Sequence, residues 1–242
     1  MFDYFDLVRE LLDKVQRSEQ ESMERAATTI ADTVARGRVL HYFAAGHSHI
    51  LGEELFYRAG GLAPVNAIIV PSLMVSNGAS KSSKLECLHG LAKVILEESG
   101  VERGDVLMVA STSGVNAVPV EMATEAAELG ARVIGITSIG ASKATPLRNG
   151  SGKRLFELAD IVIDTHVPYG DAAIQVEGVT QRIAPLSTVI GVAIVNALVV
   201  RTVKILVEQG IEPPVFASAN IPGGQEFNVA LLKRYKDQIR AF

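Results

Sequence analysis

Apolar residues follow two alternating patterns along this chain. Short continuous runs such as 105–110, with a single acid at the start, are typical of strands buried on both faces of a parallel sheet. Longer segments with apolar residues three and four positions apart, such as 118–129, are typical of helices. The two patterns predict strands at 38–45, 64–70, 105–110, 131–137 and 159–164, and helices at 2–35, 49–59, 84–98, 118–129, 184–209 and 226–240.

The alternation of strands and helices predicts the fold class. Such an order, with glycine-rich turns after the strands, indicates an α/β protein. We expect a doubly wound, Rossmann- or flavodoxin-like parallel sheet of five strands, with helices on both faces. The helices at 2–35, interrupted near 18–21, form an N-terminal arm whose apolar stripe is expected to pack on a partner subunit. We predict one domain over residues 1–242, with the arm at 1–36, the α/β core at 37–210 and a C-terminal tail at 211–242.

The segment 184–209 is almost uncharged, and Pro185 is expected in its first helical turn. Its longest apolar run, 189–200, falls short of the roughly 20 residues that a bilayer span needs, so a buried helix is predicted. The segments 71–83 and 138–153 are rich in serine and glycine and are predicted to be loops.

Composition narrows the class of protein. Of the 242 residues, 48% are hydrophobic and 21% charged, which suits a globular domain. The net charge is -4 and no basic cluster stands out, so neither nucleic acid nor an anionic membrane is an expected partner. Cys87 is the only cysteine, which excludes an internal disulfide and favours a reducing compartment. The acidic N-terminus has no signal-peptide pattern, so a soluble, cytoplasmic location is expected.

Two turns carry the candidate chemistry. Ser111, Thr112 and Ser113 follow a strand directly and precede a helix, where free N–H groups and the helix dipole favour an anion. An ordinary helix cap is the alternative. The segment Gly46-His47-Ser48 follows the first strand in the same way. Because the carboxyl ends of parallel strands share one edge of a sheet, both turns are expected to face one crevice.

Three separated segments resemble the SIS (sugar isomerase) domain family, with a layout most similar to its phosphoheptose isomerase-like branch. They are Ala45-Gly46-His47-Ser48, Ser111-Thr112-Ser113-Gly114 and Ala184-Pro185-Leu186-Ser187-Thr188. The resemblance covers roughly residues 2–209. It implies a sugar-phosphate ligand and a homodimer or homotetramer. It also implies binding residues, which are Gly46, His47, Ser48, Ser111, Thr112, Ser113, Asn116 and Ser187.

Two positions depart from the family pattern. Asn116 stands where the family commonly has serine or threonine, and its amide can still donate to a phosphate. Ser187 stands where phosphoheptose isomerases have a histidine. A serine does not titrate near neutral pH and is a poor replacement for an imidazole that moves protons.

Isomerisation of an aldose to a ketose needs a base and an acid beside the carbonyl group. Glu53 and Glu54 lie on the helix after the first turn, and the resemblance favours Glu54, with His49 as the histidine. A solvated helix face is the alternative interpretation. His166, in the loop 165–171, is a further candidate for contact with the sugar.

Other residues remain open. Tyr169 and Asp171 belong to the same loop as His166, and this loop can equally be a simple turn. Glu86 and His89 are candidates for a neighbouring subunit's site, although a structural role is favoured for both. The histidines form no paired motif and no Gly-x-Gly-x-x-Gly occurs, so neither a metal nor a cofactor is expected.

The leading hypothesis is a sugar-phosphate isomerase. A non-catalytic phosphosugar sensor and an amino-sugar-phosphate lyase or etherase are the alternatives. The sequence shows no helix-turn-helix or basic region, so a DNA-binding sensor of the usual two-domain type is not supported.

Overall fold

A computed structural model of the chain describes residues 3–241. Phe2, where the pattern places the start of the first helix, lies outside the described residues. The helices are α1 (Asp3–Ser18), α2 (Gln20–Ala35), α3 (Ile50–Leu55), α4 (Ala79–Leu85), α5 (Leu91–Ser99), α6 (Ala117–Leu129), α7 (Ile139–Ala144), α8 (Leu155–Leu158), α9 (Ser187–Glu208) and α10 (Gly224–Tyr235). The strands are β1 (Leu40–Ala44), β2 (Val65–Ile68), β3 (Val106–Ala110), β4 (Arg132–Thr137), β5 (Ile161–Asp164), β6 (Ala172–Ile174) and β7 (Ile183–Pro185).

Five strands form one parallel sheet in the order β2-β1-β3-β4-β5. Leu40 pairs with Val65 on one side and with Val106 on the other, so the order reverses between β1 and β3. All five predicted strands exist, and the predicted α/β fold is confirmed.

Side chains of alternate residues on each strand enter two separate cores, as the pleat requires. On β3, Met108 packs with α2 and α9, whereas Leu107 and Val109 pack with α5 and α6. Helices therefore cover both faces of the sheet, which explains why the strand sequences are continuously apolar.

The N-terminal arm packs on its own chain. α2 buries Ala27, Ile30 and Val34 against the face that also holds α9. Arg201 of α9 joins the two helices by an ion pair with Glu24, at 2.7 Å. α1 contributes only Val15 as a fully buried residue, so packing of the arm on a partner subunit stays a prediction.

The region 71–99 differs from the prediction. Two short 3-10 helices and α4 occupy the predicted loop, and the predicted helix at 84–98 is broken between α4 and α5. The break ends at Gly90, which has a φ of 78° that suits glycine. Glu86 lies in this break and not on a continuous helix. A further predicted loop, 138–153, contains α7, which the side chain of Ser138 caps.

The approach to α9 also differs. β6 and β7 form an antiparallel hairpin that the pattern does not predict. Pro185 ends β7 and therefore lies before the first turn of α9. α9 has 22 residues and is long and apolar enough, by composition, to cross a membrane. Half of its most apolar 18-residue stretch is buried inside the fold. The core helix of a soluble protein has the same properties, so length and composition alone do not make α9 a membrane-spanning helix.

The C-terminal tail is ordered on the core. Phe216 exchanges backbone hydrogen bonds with Gly60 and Gly61, at 2.8 and 3.0 Å. Phe216, Tyr235 and Ile239 form a small apolar cluster with Val39. The cluster also contains Leu231 of α10 and Ala63, so the last helix packs on the segments that lead into β1 and β2.

Candidate functional site

A cleft of about 430 Å³ opens at the carboxyl ends of β1 and β3, where the strand order reverses. This is the position at which open parallel sheets bind their ligands. The lining residues are Ala45, Gly46, His47, Ser48, Glu86, Ser111, Thr112, Ser113, Asn116, Ala141, Thr145, Tyr169, Gly170, Asp171 and Ser187. None of them is a lysine or an arginine.

The first wall is the turn after β1. Gly46 has a φ of 60°, a conformation that glycine adopts without strain, and it turns the chain into a short 3-10 helix. The hydroxyl of Tyr42, on the strand itself, donates to the carbonyl of Ser48 at 2.7 Å. This bond fixes the turn and leaves the hydroxyl of Ser48 at the cleft.

The second wall is the turn after β3. The hydroxyl of Ser111 accepts the N–H of Gly114 at 3.1 Å, which closes the turn. Thr137, at the end of β4, donates to the carbonyl of Thr112 at 3.2 Å. A side chain at Gly114 would lie 3.0 Å from both Leu155 and Thr137, so a glycine is required there. Because α6 begins at Ala117, the hydroxyls of Ser111, Thr112 and Ser113 lie before the helix and not within its first turn.

The third wall is the start of α9. Asp171 accepts the backbone N–H groups of Leu186 and Ser187 at 2.9 and 2.8 Å, and it accepts the hydroxyl of Ser187 at 2.6 Å. A carboxylate at a helix N-terminus is favourable because it meets the positive end of the dipole. Ser187 is thus held by Asp171 at the position where the resemblance implies a histidine.

Glu86 brings an acid into the cleft. Burial raises the pKa of this half-buried carboxyl above its usual range, against the opposing effects of a hydrogen bond from Asn116 and the charge of Arg148. Asn116 is the cap position of α6, yet its side chain makes no cap bond. Its amide oxygen is buried and has no hydrogen-bond partner among the described residues. A ligand that donates to this oxygen would satisfy it.

The structure brings together all of the predicted binding residues except His166. His166 lies beside the cleft, where its ring is 2.9 Å from Glu19 and 3.4 Å from Asp164. Its backbone N–H donates to Asp164 as well, at 2.8 Å. The ring anchors the loop that carries Tyr169 and Asp171, and contact with a sugar stays a prediction.

The two predicted catalytic residues do not line the cleft. Glu54 forms an ion pair with Arg58 and accepts a hydrogen bond from Asn196 of α9 at 2.7 Å. His49 is buried, with one ring nitrogen at the carbonyl of Gly46 and the other 3.4 Å from Glu53. Their catalytic roles stay predictions.

Glu86 lines the cleft, although a structural role was favoured for it from the sequence. The pattern placed it on a helix, and only the break between α4 and α5 turns it towards the hydroxyls. Gly90 was the available signal, because glycine favours the end of a helix over its interior. Among residues 3–241 no group of three or more His, Cys, Asp or Glu side chains is placed to hold a metal ion.

Comparison with known proteins identifies the family and the fold. A UPF0309 protein of Halalkalibacterium halodurans is 42% identical over 98% of this chain and 94% of its own length. A phosphoheptose isomerase structure from Francisella tularensis has a TM-score of 0.54 at 17% identity, over 84% of this chain and 95% of that one. The Vibrio vulnificus NanR protein, solved with ManNAc-6P, has a TM-score of 0.53 at 15% identity, over 95% of this chain and 67% of that one.

The two solved structures share the fold with this chain, and at these identities they show nothing more. The model of the SIS domain matches residues 3–138, which include both hydroxyl-rich turns. The resemblance seen in the sequence is thereby confirmed. The chain belongs to the SIS domain family, and this membership implies that it binds a phosphosugar.

Proposed function

We propose that this protein is a sugar-phosphate isomerase that interconverts an aldose phosphate and a ketose phosphate. One observation carries the proposal: hydroxyls from two strand ends and a half-buried carboxyl with a raised pKa line the same cleft. The hydroxyls suit a phosphate group and the carboxyl suits a proton transfer.

The phosphate binds to Ser48, Ser111, Thr112 and Ser113. These residues follow β1 and β3, so their hydroxyls and nearby N–H groups converge from two sides. Since the lining contains no lysine or arginine, neutral donors hold the phosphate by geometry. The unpaired amide oxygen of Asn116 accepts a hydroxyl of the sugar.

Glu86 moves the proton. As a carboxylate it removes a proton from the carbon beside the carbonyl, and it returns that proton to the neighbouring carbon of the resulting enediol. A raised pKa brings the acid closer to working pH, where both steps are efficient, and such catalysis typically contributes about 100- to 10,000-fold. His47, which also lines the cleft, donates a proton to the carbonyl oxygen as the enediol forms and accepts the proton of the neighbouring hydroxyl as the new carbonyl forms. Glu54, which the family resemblance favours, is the alternative base.

Deuterium incorporation tests this assignment. The protein is incubated in heavy water with a panel of aldose and ketose phosphates, including ManNAc-6P because a protein of this fold was solved with it. We expect exchange beside the carbonyl for at least one sugar, and a loss of about 100-fold or more in Glu86→Gln. Glu54→Gln is compared directly, and the exposed Glu97→Gln is the matched control.

Each outcome has a defined meaning. Exchange that survives in Glu86→Gln but not in Glu54→Gln contradicts the role of Glu86 and restores Glu54. Binding of sugars without exchange or turnover favours a non-catalytic sensor. Cleavage of an ether bond on an amino-sugar phosphate would favour the lyase or etherase.

We further propose that the protein acts as a cytoplasmic homodimer or homotetramer. α9 supports this proposal because Val200 and Val207 on it are more than half exposed, at 55% and 60%. A strongly apolar helix usually buries all of its faces.

A further inference from the structure

A second hollow lies at the opposite edge of the sheet from the cleft. It measures about 670 Å³, within the range of small-molecule sites. The end of α2 and the segments that lead into β1, β3, β4 and β5 form its walls. The lining residues are Thr29, Asp32, Thr33, Arg36, Arg38, Arg103, Gly104, Asp105, Val106, Gly130, Ala131, Arg132 and Asp160.

Four arginines from three separate segments line this hollow. Arg38 is held in place, because its guanidinium lies 2.6 Å from Asp105. The guanidinium groups of Arg36, Arg103 and Arg132 form no ion pair and no hydrogen bond with any residue between 3 and 241. Three unpaired guanidinium groups therefore line one hollow, in a chain whose net charge is -4.

Three aspartates, Asp32, Asp105 and Asp160, also line the hollow. Asp105 accepts hydrogen bonds from Arg38 and the N–H of Glu102, and it contacts the ring of His41. Asp160 accepts the backbone N–H of Val133 at 2.8 Å. Asp105 therefore balances the charge of Arg38, and the two remaining carboxylates leave the three free arginines with one positive charge in excess.

A structural explanation accounts for part of the charge. α2 ends at Ala35 and α6 ends at Leu129, and the negative end of a helix dipole favours a cation nearby. That effect needs neither a shared hollow nor guanidinium groups from the loop before β3. Arg103 lies over Gly130, within 3.3 Å of where a side chain would begin, so this guanidinium packs on a residue that itself lines the hollow.

We propose that this hollow is a second anion-binding site, distinct from the cleft, for a ligand that carries two or more phosphate charges. Arg103 and Arg132 bind the phosphates through paired N–H donors, the geometry in which arginine is most effective. Asp160 and Asp32, on the same wall, accept hydroxyls of a larger ligand. Pyrophosphate and a nucleoside triphosphate share the phosphate chemistry and differ in those hydroxyls.

Calorimetric titration with pyrophosphate and with ATP, both without divalent metal, tests the proposal on the full chain. We expect saturable binding whose Kd rises with salt concentration. Arg103→Gln combined with Arg132→Gln should weaken binding at least about tenfold. Lys14→Gln with Arg17→Gln, on exposed positions of α1, removes the same charge and should leave binding unchanged.

Two further variants assign the site. Thr112→Val alters the cleft and should retain binding, whereas loss of binding in this variant would place the anion in the cleft and overturn the proposal. Asp160→Asn should weaken the binding of ATP more than the binding of pyrophosphate, because only the nucleoside has hydroxyls that Asp160 can accept. Thermal unfolding of each variant confirms that it is folded. No saturable binding at millimolar ligand, or equal weakening in the α1 control, also overturns the proposal and leaves the isomerase function untouched.

Discussion

Asp105 shows what a single buried carboxylate does at the amino edge of the sheet. Burial alone would raise its pKa, but hydrogen bonds from His41, Arg38 and the N–H of Glu102 lower the pKa below the usual value. His41 is fully buried and also contacts Asn66, which donates to the carbonyl of Ser99 at 2.9 Å. The network therefore ties β1, β2 and the residue before β3 together at the amino end of the sheet.

Asp105→Asn is expected to lower the free energy of unfolding by about 2 kcal/mol at neutral pH, because charged hydrogen bonds are lost. A lowered folded-state pKa gives stability that is present above the unfolded pKa, near 3.8, and is lost as the pH falls through the lower folded value. The difference between variant and wild type should thus shrink in acid. Denaturant titration at several pH values measures it.

Asp237→Asn is the control, since that side chain is exposed. A difference that stays constant from neutral pH to strongly acidic pH would show that the ionisation of Asp105 does not stabilise the fold.

For Glu86 the pH dependence of stability has the opposite sign, because its raised pKa favours the protonated form in the folded state. Its contribution to stability is lost as the pH rises through that folded value.

At the scale of elements, the contact between α3 and α9 joins the two helices that follow the first and third walls of the cleft. α3 follows the turn that carries Ser48, and α9 begins at Ser187. The two helices approach closely at Gly191, where a side chain would lie 2.6 Å from the end of Leu51. Glu54 and Asn196 bond the same helices one turn further along.

Gly191→Ala is expected to lower the free energy of unfolding by about 1 kcal/mol. Overpacking costs about 1–3 kcal/mol, and the better helix propensity of alanine returns up to about 1 kcal/mol. Because α9 must move, phosphosugar affinity should fall as well. Chemical denaturation and a binding titration measure the two effects.

Leu51→Ala is the partner substitution in a double-mutant cycle. It creates space at the contact, so the double variant should be more stable than the sum of the two single effects predicts. Strict additivity would show that Gly191 does not control this contact.

At the scale of the whole molecule, the exposed face of α9 is the surface on which a second copy is expected to pack. Val200→Asp with Val207→Asp should reduce the mass in solution to that of one chain, because charges are costly in an apolar interface. Light scattering coupled to size exclusion measures it. Val94→Asp, on an equally exposed valine of α5, is the matched control. A wild-type protein that is already monomeric contradicts the proposed assembly.

The sequence by itself determined the succession of strands and helices along the chain, and it predicted the two hydroxyl-rich turns of the cleft. Short continuous apolar runs between turns favour strands buried on both faces, and a hydroxyl-rich turn after such a strand lies at the carboxyl edge. For that reason the pattern of residues alone assigns Ser48 and Ser111 to one crevice. The break at Gly90 and the hairpin before α9 carry no periodicity, so the pattern did not reveal them.

Only the tertiary structure decided which titratable groups share a space. Side-chain type and spacing could not show which of Glu54 and Glu86 lines the cleft. Glu54 bonds to α9, whereas a change of chain direction between α4 and α5 places Glu86 in the cleft. The same limit applies to Arg36, Arg103 and Arg132, which are far apart along the chain. They converge because parallel strands bring all their amino ends to one edge, and that proximity is a property of the packed sheet.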